Sequence, residues 1–296
     1  MANQEGTRAW RGSTDGAPWM QRSLLTVVRV APLWLSYSLM SLAIPFYVLF
    51  DGRGRKASYR FFRKRMGYGA VHSFFCVFRN MYSMGTVVID RFSAYAGKRF
   101  RMIPDGKESF DRLAQTPGSF MMLGSHLGNF EMVGYMLPSP RPLKVLVYGG
   151  ETHTVMQNRT RMFAPGNIEM IPATEDMAHL FALNNAMAGG EIVSLPADRL
   201  LGSHKVFRLP FLGADAAFPQ GPFTLAALRD VPVVATFVVR ESRGSYRLVV
   251  RRLPMPQEGT SARRAQALAG AYVSLLESMA RRYPEQWYNF YDFWSE

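Results

Sequence analysis

Hydrophobic positions run along this chain with more than one rhythm. Residues 1–23 are polar and Gly-rich with no apolar period, which predicts a poorly ordered tail. From Val30 to Phe50 the chain reads VAPLWLSYSLMSLAIPFYVLF, without a charged residue. A helix that crosses a bilayer needs about 20 such positions, so length permits a span. Trp34, Tyr37 and Tyr47 suit a membrane interface. Pro32 and Pro45 weaken a straight helix and leave two further readings open: a deep re-entrant anchor, or a soluble pair of core helices. The run is too long for a signal peptide, and no small-residue cleavage site follows it. Between Val71 and Tyr82, the apolar residues Val71, Phe74, Phe75, Phe78, Met81 and Tyr82 recur at helical spacing and predict a core-facing helix. His72 and Cys76 sit on its other side and read as structural.

From about Ser119 the pattern changes. Short apolar, β-branched runs at Ser119–Ser125, Leu143–Tyr148, Ile168–Pro172, Glu191–Leu195, Val231–Arg240 and Tyr246–Leu253 predict strands. Helical patterns alternate with them at Leu127–Met136, Thr154–Phe163, Asp176–Ala188, Gly221–Arg229 and Ala262–Arg282. Strand, helix, strand in this order predicts an α/β fold, a mostly parallel central sheet flanked by helices, preceded by an N-terminal membrane-anchoring helical region. The expected organisation is a tail over 1–23, an anchor over 24–50, a basic amphipathic helical region over 51–110 and a catalytic-type domain over 111–296.

Charge narrows the choice of partner. The 296 residues hold 35 Lys and Arg against 22 Asp and Glu, a formal charge of +13, so the partner surface is expected to be acidic. The excess concentrates in DGRGRKASYRFFRKR, directly after the apolar run, where Arg53, Arg55, Lys56, Arg60, Arg63, Lys64 and Arg65 face Asp51 alone. A juxtamembrane cluster of this kind suits anionic phospholipid and marks the cytoplasmic side, and a solvated helix face is the plain alternative. No recognisable nucleic-acid module accompanies the charge, so no nucleic acid is expected as partner. Cys76 is the one cysteine, which excludes an internal disulfide framework and a cysteine-rich zinc site.

Candidate chemistry lies in SFMMLGSHLGNFEM, where an apolar run ends in Gly124-Ser125-His126 and Glu131 follows five residues later. Two positions five apart on one helix point about 140° away from each other. His126 and Glu131 therefore meet only if the histidine sits in the turn that closes the strand and the glutamate lies in the first turns of the helix. Strand-to-helix junctions are where sites in open α/β sheets lie. A histidine there can take a proton from a hydroxyl near neutral pH, and a carboxylate behind it fixes the tautomer. The N–H groups of the helix start are expected to face developing negative charge. By spacing alone a structural histidine fits as well.

GSHLGNFEM resembles the His-x4-Asp/Glu motif of the bacterial lipid A biosynthesis acyltransferase family, a branch of the lysophospholipid acyltransferases. LPADR at Leu195–Arg199, FPQGPFTLA at Phe218–Ala226, VPVVATFVVR at Val231–Arg240 and PEQWYNFYDFW at Pro284–Trp294 resemble later blocks of that family in order. The resemblance covers roughly Leu24 to Trp294. It implies a glycerolipid acyltransferase-like fold and an enzyme of the bacterial inner membrane, active on its cytoplasmic face. Such an enzyme moves a fatty acyl chain from acyl carrier protein, or from coenzyme A, to a hydroxyl or amine of a membrane lipid acceptor, with the thioester as substrate and no resident cofactor. By the same resemblance His126 is the general base and Glu131 its orienting partner. Asp198 and Arg199 are expected to make phosphate or oxyanion contacts, Arg159 or Arg161 to hold a phosphate, and Gly221 to belong to a substrate-binding turn in which Gln220 replaces the acid of related enzymes. The Arg-Asn-Leu and proline pattern usual after the anchor is absent, so the acceptor stays open between a lipid A precursor, a glycolipid and an amino lipid.

Several alternatives find no support. There is no G-x-S-x-G elbow, and Ser125 beside His126 is poorly placed as its nucleophile, so direct transfer is expected. No H-E-x-x-H, P-loop or G-x-G-x-x-G occurs, and no metal is expected. His153, His179 and His204 have no partner at a recognisable spacing and read as structural. A non-catalytic lipid-binding relative remains the alternative to an enzyme.

Overall fold

The structure, a computed structural model, describes residues 18–150, 156–157, 159–160, 166–174, 178–200 and 205–294. The N-terminal part is helical: α1 (Pro18–Val30), α2 (Leu33–Phe50), α3 (Gly52–Arg60), which runs on into a π-helical turn over Phe61–Arg65, and the long α4 (Ala70–Tyr95). Pro32 precedes the first residue of α2 in an extended conformation, which separates α1 from α2. Pro45 lies inside α2. The helix expected over Val71–Tyr82 is thus one half of α4.

The sheet follows: β1 (Arg101–Asp105), α5 (Lys107–Gln115), β2 (Met121–Gly124), a 3-10 turn over Phe130–Met132, α6 (Val133–Met136), β3 (Leu143–Tyr148), β4 (Ile168–Ala173), α7 (Ala178–Ala188) and β5 (Ile192–Pro196). A hairpin of β6 (Val206–Phe211) and β7 (Ala214–Pro219) leads to α8 (Gly221–Arg229), β8 (Val233–Ser242), β9 (Ser245–Arg252) and α9 (Ser261–Arg282). Seven strands form one sheet in the order β1-β9-β8-β2-β5-β3-β4. The strands β4, β3, β5, β2 and β8 are mutually parallel; β9 turns back antiparallel on β8, and β1 follows β9. The mostly parallel α/β architecture is the one the alternating pattern predicts.

All six expected strands are present within two residues at each end. Three more were not expected. β1 sits at the sheet edge and alternates exposed and half-buried residues, and β6 and β7 form a separate two-stranded sheet. The sheet therefore begins before residue 111.

The period of two sorts the core. Met121, Leu123, Val193, Val233 and Ala235 face one side and pack with Phe223 of α8 and Leu268, Tyr272 and Leu276 of α9. Phe120, Met122, Ile192, Val234 and Val238 face the other side and pack with Phe110 of α5 and Met132 and Met136 around α6. β8 is buried from Val233 to Val239 without a break, as a central strand covered on both faces must be. The aromatic C-terminal segment is core: Trp287 packs edge-on against Phe61, Phe211 and Phe293.

Candidate functional site

β2 and β5 are neighbours in parallel register, with Gly124 opposite Pro196. Their carboxyl ends therefore lie side by side, and the two residues that leave those ends, His126 and Asp198, come together. The Asp198 carboxylate accepts the backbone N–H of His126 at 2.7 Å and faces its ring Nδ1 at 2.8 Å. The imidazole is 20% exposed and the carboxylate 0%. Burial by itself raises the pKa of the Asp198 carboxyl; the His126 charge and hydrogen bonds, with Arg199 beside it, outweigh burial and hold it below the ordinary value. Asp198 is thus a carboxylate, and Nδ1 of a neutral His126 carries the proton that faces it. Nε2 is then the basic nitrogen.

The turn that holds His126 is clamped from two sides. The Gly128 N–H donates to the Gln286 carbonyl at 2.8 Å and the Tyr288 N–H to the His126 carbonyl at 3.2 Å, which pairs the turn with the C-terminal segment. The Asn129 N–H donates to the Val238 carbonyl of β8 at 2.7 Å. Gly128 is required there twice over: its φ is +75°, and a methyl group at that position would sit 2.0 Å from the Val238 carbonyl oxygen. The Tyr272 hydroxyl of α9 donates to the Gly124 carbonyl at 2.8 Å and holds the strand end from below.

Two expectations are corrected by this geometry. Glu131 is not the partner of His126. It lies in the 3-10 turn and faces away into a buried cluster, where Arg91 donates to it at 2.8 Å, the Tyr95 hydroxyl at 2.6 Å, and Arg159 forms a second ion pair. Burial alone raises its pKa, but the two guanidinium groups and the hydrogen bonds dominate and depress it from its usual 4.5 to about 2. The second correction concerns the helix start. The expected helix over Leu127–Met136 is a 3-10 turn and a single α turn that begin only at Phe130. The N–H groups of the residues before it already have acceptors: Asp198 for His126, the Ser125 hydroxyl for Leu127, Gln286 for Gly128 and Val238 for Asn129. They do not face an oxyanion.

Arg199 is engaged by the C-terminal segment. Its guanidinium donates to the Tyr288 carbonyl at 2.6 Å and to the Asn289 side chain, and stacks over the Tyr291 ring at 4.7 Å. These described contacts tie the end of β5 to the C-terminal segment. Gly221 opens α8, and among the described residues no hydrogen bond joins it to His126 or Asp198. The Gln220 side chain donates to the Val206 carbonyl of the hairpin. His72 stacks on Tyr68, and His179 accepts from the Thr174 N–H. Arg161, His153, His204 and most of the helix expected over Thr154–Phe163 lie outside the described residues.

Arg91 and Tyr95 were not read from the sequence. They stand four apart on one face of α4, beyond Tyr82 where the expected helix ended, and following the apolar period to its true end places them side by side. Among the described residues no group of His, Cys, Asp and Glu could hold a metal ion. The model of the bacterial lipid A biosynthesis acyltransferases matches residues 71–295. The chain belongs to that family. A comparison with curated proteins finds no match. The match takes in the whole sheet, both members of the His126–Asp198 pair and the C-terminal clamp of this acyltransferase family member; α1, α2 and α3 precede it.

Proposed function

We propose that this acyltransferase family member moves a fatty acyl group from an acyl carrier protein or coenzyme A thioester to a hydroxyl or amine of a lipid acceptor, with His126 as general base and Asp198 as the residue that positions it. The observation that carries the proposal is the two-point contact between Asp198 and His126. It orients the proton-accepting nitrogen, Nε2, and fixes the tautomer, which is what base catalysis needs from a partner carboxylate. In the step, Nε2 takes the acceptor proton as its oxygen or nitrogen bonds to the thioester carbonyl carbon. The C–S bond then breaks, and the imidazolium returns the proton to the leaving thiolate. The ionised Asp198 stabilises the imidazolium in between. No acyl-enzyme intermediate is formed.

Arg91 and Arg159 both place a guanidinium group on Glu131. Guanidinium groups suit a phosphate, either of the carrier's prosthetic arm or of the acceptor headgroup. The apolar helix α2 is long enough to cross a membrane by length and composition, and with the basic α3 it suits attachment to anionic phospholipid, at the inner membrane with the sheet domain on the cytoplasmic side.

The test is lipid mass spectrometry on cells lacking the protein, complemented with wild type, His126→Ala or Asp198→Asn. A lipid that returns only with wild type is the product, and its mass names the acyl chain and the acceptor. If both variants restore it fully, the pair is not catalytic.

A further inference from the structure

The apolar helix α2 is not a free rod. Tyr37, Ile44 and Val48 are buried on one face, and Met40 packs beside them. The face opposite, with Leu39, Leu42, Phe46, Leu49 and Phe50, is exposed. The buried face lies along α4 over its whole length: Met40 meets Gly85, and Ile44 and Val48 share a core cluster with Val77 and Met81. Near its start, the Tyr37 hydroxyl donates to the fully buried carboxylate of Asp90 in α4. The same carboxylate accepts from the Tyr246 hydroxyl of β9 and lies 3.7 Å from Arg240 of β8, whose guanidinium stacks over the Tyr37 ring at 5.0 Å.

α4 therefore lines α2 along its length, and the sheet reaches α2 near its start. At about 1.5 Å per residue its 18 residues span about 27 Å, close to the thickness of the hydrocarbon core. Standing upright across a bilayer, α2 would carry α4 in with it, and with α4 the charges of Asp90 and Arg240 from the sheet side. Cations also flank both ends. Arg29 is exposed before the helix and Lys98 donates to the Ala31 carbonyl there; after the helix Arg53 and Lys56 are exposed and Arg55 donates to the Val48 carbonyl at 3.0 Å. With cations at both ends, both ends can rest at one anionic surface.

Resting on the membrane-bound reading above, we infer that α2 lies in the plane of one leaflet, its exposed face in the acyl region and both ends at the same anionic headgroup layer. At the α4 end nearest Phe50, exposed Val71, Phe74 and Phe75 extend the apolar surface. The protein is held from one side, and the chain never crosses the bilayer at α2.

The test is a pair of single-cysteine proteins, Arg29→Cys and Arg53→Cys, each in a Cys76→Ala background, in right-side-out and inside-out membrane vesicles treated with a membrane-impermeant maleimide. Both sites are expected to label from the same side. Labelling from opposite sides, or any other pattern, overturns the in-plane placement while leaving membrane attachment intact. A second arm measures pelleting of the purified full chain with vesicles rich in anionic phospholipid. Leu42→Lys with Phe46→Lys is expected to lower the pelleted fraction several-fold with an unchanged near-UV circular dichroism spectrum; unchanged pelleting overturns the proposed face. A wild-type chain that does not pellet at all overturns the membrane reading and this inference together.

Discussion

Asp198 reaches His126 from 72 residues further along the chain and holds it at two atoms, the backbone N–H and ring Nδ1. One carboxylate thus fixes both where the turn sits and which ring nitrogen is basic. Asp198→Asn keeps the shape but can present an N–H to Nδ1 and so favour the wrong tautomer. We expect kcat to fall about 10²–10⁴-fold, with KM changed much less. Glu131→Gln is expected to reduce kcat less than Asp198→Asn does. Steady-state kinetics on both variants decide the assignment, and the reverse order would return the role to Glu131.

Glu131 governs acid stability instead. Its carboxyl, usually near 4.5, is held at about 2 in the folded chain. A group depressed by folding stabilises the fold above its unfolded pKa, and that contribution is lost as pH falls from about 4.5 towards 2. The full effect is on the order of 3 kcal/mol. Glu131→Gln should lower stability at neutral pH and flatten the acid limb of the unfolding curve, read by thermal melts across this pH range. An acid limb as steep as that of wild type would show that the Arg91–Glu131–Arg159 cluster is not its source.

Gly128 ties the turn that holds His126 to β8. Gly128→Ala combines a positive φ with a methyl group pressed on the Val238 carbonyl. Strain of this kind costs about 1–3 kcal/mol before the clash is counted. The turn is expected to shift, with loss of activity greater than loss of stability, because the same shift moves His126 away from Asp198. A Gly128→Ala enzyme of wild-type kcat would disprove the clamp.

The C-terminal segment works through Arg199. Asn289→Ala removes one acceptor of a buried guanidinium and is expected to cost about 2–3 kcal/mol in denaturant unfolding. Since the neighbouring Tyr288 N–H holds the His126 carbonyl, kcat should fall as well.

Among the strands that were legible in the sequence, β2, β5 and β8 are parallel and largely buried, so they are apolar at most positions, while β3, β4 and the antiparallel β9 showed through their apolar, β-branched runs. β1, β6 and β7 escaped because an edge strand and a two-stranded hairpin carry polar residues, Pro210 and Pro219, and weak alternation. α4 was read to Tyr82 and not to Tyr95, since its second half turns buried polar residues such as Thr86, Asp90 and Ser93 inward. Asp90 has its partners, Tyr37 and Tyr246, on other elements, and contacts of that kind leave no periodic trace.

His126 and its place at the end of β2 were set by sequence: a glycine-flanked histidine closing an apolar run has few other places to go. The sequence also set the apolar length of α2 and the charge that follows it. Only the tertiary structure decided which carboxylate serves the histidine. Spacing suggested Glu131, five residues away, but the turn at Gly128 and the late start of the helix send that side chain to Arg91 and Arg159. Asp198 was named as part of LPADR and expected to contact a phosphate or oxyanion, whereas the structure places it on His126. Parallel pairing of β2 with β5 brings it to His126, and strand pairing is a long-range choice that no local pattern encodes. The same holds for α2, whose apolar composition is plain in the sequence and whose packing along α4 only the tertiary structure shows.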